Sequence, residues 1–194
     1  QRARDAMNNH DLGALVLYAG ANIRYVTSSY QGNWKYNINI RYAVQPNGGD
    51  PVLFETAGSD MQCAKIDMPW MKLENIRPAM TWQWAEGAVP HMAGKMADSV
   101  VEVLEEHGVK KERIGVDNFD WPSLQAFQER KINIVNGWPA MSAARVIKTR
   151  DEIELLKQAS SIGDAAMWKI KYEWLKPGVR EREIEAKVHE FMLE

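Results

Sequence analysis

An α/β layered domain over roughly residues 1 to 140, followed by helices alone, is the fold class that the sequence predicts. Three observations lead there. Short apolar runs of strand character alternate with stretches of helical spacing; the turn "PNGGDP" joins two of those runs as a hairpin; and after Thr149 no strand signal remains.

Taken in order, "RARDAMNNHDLG" reads as a short helix with a turn at Gly13, and Ala14 to Tyr18 as a buried central strand, because its apolar run is nearly unbroken. "ANIRYVTSSY" is a helical turn or short helix. Strands are expected at Ile38 to Gln45 and Val52 to Thr56, since the Asn-Gly and Gly-Gly steps between them favour positive φ. "GSDMQCAKID" reads as a helix capped by Ser59 or Asp60, with a strand near "KLENIRPAM". Met96, Val100, Val103 and Leu104 recur at helical spacing, Gly108 ends that helix, and "RIGVDN" is a buried strand. Pro122 suits the first turn of a helix running to about Arg130, and "INIV" is a further strand. "NGWPAMSAARVIK" is expected to be a connector. Thr149 and Glu152 then fit a capping box, and Ile153, Leu156, Ala159, Gly163, Ala166, Met167 and Ile170 mark one face of the helix it opens. Pro177-Gly178 breaks that helix, and Ile184, Val188, Phe191 and Met192 begin a second apolar face. Domains are therefore expected at 1–143 and 144–194.

The 194 residues are 45% hydrophobic and 26% charged, with net charge −2. That balance, without a long basic tract, gives no electrostatic reason to bind nucleic acid or an anionic membrane, and favours small-molecule or protein partners. No apolar run approaches the roughly 20 residues of a membrane span, and the polar start is no signal peptide, so a cytoplasmic location is expected. The single cysteine, Cys63, excludes a disulfide framework and a zinc-type cysteine cluster; it is expected to be a small packed hydrophobe rather than a nucleophile. The chain does not begin with Met, and "KVHEFMLE" stops in mid-helix without a cap. The polypeptide is accordingly expected to continue past Glu194.

No catalytic centre is expected within these residues. His10, His91, His107 and His189 are scattered without metal-ligand spacing, and no nucleophile elbow, phosphate loop or dinucleotide fingerprint is present. His107, before Gly108, suits a helix end. Asp117 and Asp120 follow a strand, where such residues usually cap the next helix. The segment "YQGNWKYNINIRY" differs in kind. Trp34, Tyr36, Asn37 and Arg41 combine stacking surface, an amide and a planar cation, which would suit the rim of a site for a small anionic or zwitterionic ligand. Equally, Trp34 and Tyr36 would cover an apolar rim while Arg41 pairs with a carboxylate on the sheet.

"RDAMNNHDLGALVLYAGANIRYVTSS", "ARVIKTRDEIELLKQASSIGDAAM" and "LKPGVREREIEAKV" together resemble the creatinase, aminopeptidase P and prolidase superfamily, most specifically over residues 145 to 187. The resemblance implies a creatinase-type amino-terminal domain, a mixed sheet flanked by helices, followed by two helices opening a pita-bread α+β domain. It further implies a homodimer, and in the full-length protein two divalent metal ions whose ligands lie beyond residue 194, so that none is bound by these residues and this stretch alone is inactive. Val179-Arg180 departs from the Ser or Thr that many relatives place after Pro-Gly, which leaves the second helix without its usual cap.

The function these features imply is that of the amino-terminal portion of a metal-dependent Xaa-Pro peptidase-like hydrolase, serving dimerisation and forming the substrate rim. The spacing of Trp34, Asn37 and Arg41 is also similar to that of dimethylsulfoniopropionate lyases and, less closely, creatinases. A non-peptidase acting on a small zwitterion, ectoine hydrolase included, is therefore the alternative, and a non-catalytic peptidase-like binding domain is a third.

Overall fold

The Ala-Leu-Val-Leu run at Ala14–Leu17 has no polar side to offer solvent, and in the computed structural model it forms β1, buried at every position. The structure describes residues 1–29, 40–82 and 85–193. The chain divides into two compact units, Gln1–Val146 and Ile147–Glu194.

In the first unit, β1 pairs antiparallel with β2 (Tyr42–Pro46), which pairs antiparallel with β3 (Val52–Glu55), which in turn runs parallel to β4 (Ile76–Pro78). On its other side β1 runs parallel to β5 (Arg113–Val116), and β5 to β6 (Asn133–Asn136). The result is one mixed six-stranded sheet in the order β4, β3, β2, β1, β5, β6. Period-two alternation sends Val16, Tyr42, Val44 and Phe54 to one face, where α4 (Val89–Glu106) and α5 (Trp121–Glu129) cover them. Leu15, Leu17, Ala43 and Leu53 face the other side. There they meet α1 (Arg2–Asn9), α2 (Gly20–Thr27), α3 (Ser59–Asp67) and α6 (Trp138–Val146). Helices thus cover both faces, as the α/β reading expects.

The hairpin turn falls where "PNGGDP" places it, although the strand before it begins later than expected. Ile40 lies in a turn, and residues 38 and 39 are outside the described residues. Gly108 adopts φ +70° at the end of α4, a conformation that relieves an L side chain of a clash by having none. Two expectations fail. "GWPAMSAAR" is a helix rather than a connector: Pro139 sits in its first turn, where no amide is required, Asn136 Oδ1 accepts from the Trp138 amide, and Ala140, Met141 and Ala144 bury one face. Gly58, ahead of both expected caps, is the N-cap of α3.

In the second unit, Thr149 caps α7 (Arg150–Lys169) by the expected capping box: its hydroxyl accepts from the Glu152 amide at 3.1 Å, and the Glu152 carboxylate accepts from the Thr149 amide at 2.6 Å. Of the apolar face named above, only Ala166 is buried within the chain. The helix does not run straight to Pro177. Residues Ile170–Trp174 form a π turn, closed by the Leu175 amide on the Ile170 carbonyl at 2.9 Å. The wider turn sets Trp174 edge-on to Phe191 of α8 (Glu181–Leu193), with ring centres 6.2 Å apart. The Lys169 ammonium lies 5.9 Å from the first ring and 5.3 Å from the second. At the start of α8 the Glu183 carboxylate accepts from the Arg180 amide, the half of a capping box that needs no Ser or Thr.

Gly115 and Gly137 mark where β5 and the entry to α6 come closest. A Cβ on Gly137 would lie 2.9 Å from the carbonyl carbon of Gly115 and from the Val116 nitrogen, backbone atoms that cannot swing aside. Gly137→Ala should therefore destabilise the first unit by roughly 1–3 kcal/mol, read as a lowered urea midpoint at unchanged slope.

Candidate functional site

Of the four expected rim residues, Trp34, Tyr36 and Asn37 lie outside the described residues, and Arg41 is described. The antiparallel register that pairs Tyr42 with Phe54 sets Arg41 opposite Glu55, one step further along the hairpin. Their side chains form an ion pair at 2.8 Å, 3% and 4% exposed. Arg41 also donates to the Ser29 hydroxyl, just past α2. Burial pulls the guanidinium's pKa below its ordinary value, while the charges of Glu55 and Asp60 and the hydrogen bond to Glu55 oppose that pull. Among the described residues, Arg41 Nε is buried without a hydrogen-bond partner. In the first unit, then, this arginine joins two strand ends to α2.

Beside the ion pair lies a cavity of about 200 Å³ lined by Ser28, Ser29, Glu55, Asp60, Cys63, Ala64, Asp67 and Met68. Four of these, at positions 60, 63, 64 and 67, follow the i, i+3, i+4, i+7 spacing of one face of α3. Cys63 is exposed there, contrary to the packed position expected of it. The inward stripe of α3 falls instead on Ala64, with Met68 just past the helix end, and leaves the thiol at its edge.

At the C-terminal ends of the parallel strands, Asp120 and Asp117 divide the capping work. Asp120 caps α5: its carboxylate accepts from the Ser123 amide at 2.9 Å and from Trp82 Nε1 at 2.6 Å. Asp117 reaches across the sheet instead. Its carboxylate accepts from the Tyr18 amide at 2.7 Å, the Ala19 amide at 3.2 Å and Asn22 Nδ2 at 2.9 Å, closing the start of α2. Burial raises its pKa above the ordinary carboxylate value, and those hydrogen bonds hold the rise back. Both aspartates are thus structural acceptors. His107 stands at the end of α4, its Nδ1 2.9 Å from the Val103 carbonyl.

Among the described residues, no group of three or more His, Cys, Asp or Glu side chains could hold a metal ion. The described residues therefore do not fit the metal centre that the resemblance implies for the full-length protein. Among them, too, no helix is long and apolar enough to cross a membrane.

Removing only one member of the buried ion pair leaves the other charge stranded. Arg41→Met should cost roughly 3–5 kcal/mol of unfolding free energy, and Arg41→Met with Glu55→Leu distinctly less than Arg41→Met alone, by urea titration of both variants.

Comparison with known proteins agrees with this geometry. The sequence model of the Creatinase/Prolidase N-terminal domain matches residues 1–147. Among solved structures, an Xaa-Pro dipeptidase from Bacillus anthracis superposes with a TM-score of 0.70 at 21% identity, covering 99% of this chain and 47% of that one. A dipeptidase from Pyrococcus horikoshii OT3 gives 0.68 at 19% identity, covering 100% and 49%, and a prolidase from Pyrococcus furiosus 0.67 at 18%, covering 99% and 51%. The chain thus spans about half the length of the solved structures it matches. No curated protein sequence is significantly similar to it. With three quarters of its length under the family's sequence model, the chain belongs to the creatinase/prolidase amino-terminal domain family.

Proposed function

We propose that this chain is the amino-terminal portion of a metal-dependent Xaa-Pro peptidase-like hydrolase, and that it serves dimerisation and substrate-rim formation while the metal-bearing centre lies in the polypeptide beyond residue 194. The observation that carries the reading is the extent of the structural likeness: it runs past the amino-terminal domain through α7 and α8, over 99% of the chain, in proteins titled Xaa-Pro dipeptidase and prolidase. Trp34, Tyr36 and Asn37 are the rim contacts in this proposal. Arg41, held by Glu55 and Ser29, anchors the chain directly after them and acts on substrate through that anchoring. The partner is a second copy, and the substrate a small peptide.

The test uses the longer protein that carries this chain. It should hydrolyse Xaa-Pro dipeptides, lose that activity on chelation and regain it with a divalent ion. Trp34→Ala should raise KM for the dipeptide by roughly tenfold, the loss expected from removing one stacking wall of about 1.4 kcal/mol, with unfolding stability unchanged. Turnover of creatine, ectoine or a sulfonium zwitterion in place of dipeptides would move the assignment to the non-peptidase branch. Absence of all these activities in a folded, metal-loaded protein would move it to a binding domain.

A further inference from the structure

The end of α6 is held by polar contacts where apolar ones run out. Ala140, Met141 and Ala144 are its buried residues; Arg145 is half-buried, and Val146, the last residue of the first unit, is 69% exposed. The last carbonyls of any helix have no intrahelical partner. Here the Ala144 carbonyl accepts from the Tyr25 hydroxyl at 2.7 Å. Arg145 Nη1 donates to Asn22 Oδ1, also at 2.7 Å. Asn22 and Tyr25 stand three apart on one face of α2, so a single short helix supplies both contacts. The Asn22 amide fits in one orientation only. Its nitrogen donates to Asp117 and its oxygen accepts from Arg145, and a flipped amide would set donor against donor and acceptor against acceptor.

We propose that Asn22, Tyr25 and Arg145 form a latch that fixes the point where the chain leaves the first unit, and that this latch opens locally while the sheet and its helices stay folded. Opening it breaks side-chain contacts, the Tyr25 and Asn22 hydrogen bonds among them, and uncovers little apolar surface, the combination expected of a turn that opens well before its domain. The latch is held shut from the sheet side, because the Asn22 amide is set by Asp117 at the end of β5. The exit of the chain is thereby referred to the centre of the sheet.

Trypsin reads the latch directly, since Arg145 must leave α6 and extend to be cut, whereas Lys148 lies outside both α6 and α7 and is exposed. In the 194-residue chain under native conditions, the product ending at Lys148 should appear first, with trimming to Arg145 slow. Tyr25→Phe, which removes one hydroxyl, should speed the Arg145 cut by roughly three- to tenfold, as loss of one hydrogen bond predicts, and leave the Lys148 cut unchanged. Arg145→Met, followed by hydrogen exchange, should lose protection at amides 142–146 and keep it in β1 and α4. The proposal is overturned if wild type is cut at Arg145 as fast as at Lys148, or if Tyr25→Phe leaves the Arg145 rate unchanged. It also falls if either variant loses protection in β1 and α4 as much as in α6, since the contacts would then contribute only to global stability.

Discussion

A carboxylate in the interior must have its acceptor sites filled, and the filling of Asp117 ties the first unit together. Its position at the end of β5 lets one side chain collect the amides of Tyr18 and Ala19, where β1 turns into α2, and the side-chain amide of Asn22. Strand pairing already sets β1 beside β5, and Asp117 converts that pairing into an orientation for the helix that follows. From α2 the constraint spreads in two directions. Asn22 and Tyr25 reach α6, and beyond the helix end Ser29 meets Arg41, whose other partner is Glu55 on β3. Without filled acceptors the ionised Asp117 would be a buried charge with no compensation, which is costlier than any single apolar contact nearby.

Where the sequence was readable, local physics and tertiary packing agreed. The hairpin turn has Gly48 at positive φ, α7 opens on a capping box whose two bonds are both formed, and the central strand is apolar at each position. The misreadings have a common cause in residues with two permissible roles. Gly137 and Pro139 look like breakers, yet a proline inside the first turn and a glycine ahead of it are compatible with a helix, and the buried stripe of Ala140, Met141 and Ala144 is short enough to pass for chance. The π turn left no trace in the local pattern, and the contact that accompanies it, Trp174 against Phe191, joins residues on two different helices. Cys63 went astray by one position: on an α3 of weak amphipathic pattern, the inward stripe took Ala64 instead.

The candidate site was legible in the same uneven way. Arg41 stood out as a planar cation in an aromatic stretch, and its partner was available in principle. Counting outward from the hairpin turn in antiparallel register places Glu55 opposite it, provided the strand ends are known to within a residue. The two aspartates at the strand ends were understood as capping groups, and Asp120 caps the helix that follows it. Asp117 instead binds the amides that lead into α2, nearly a hundred residues earlier in the chain, because parallel strands bring the starts of different helices to one edge of the sheet. Sequence separation hides such a partner, whereas topology reveals it.

The π turn at Ile170–Trp174 changes how this part of the chain should be compared with its relatives. A π turn accommodates one residue more than the α-helical path it replaces, so everything after it is advanced by about 100° around the axis relative to an uninterrupted helix. A homologue lacking that residue can end α7 on a plain α-helical turn and still enter the Pro-Gly break ahead of α8. An alignment scored on helical periodicity alone would then slip by one position from Ile170 onward, pairing Trp174 with the wrong neighbour. The turn is thus a point where evolution can insert or delete a residue while keeping both flanking helices intact.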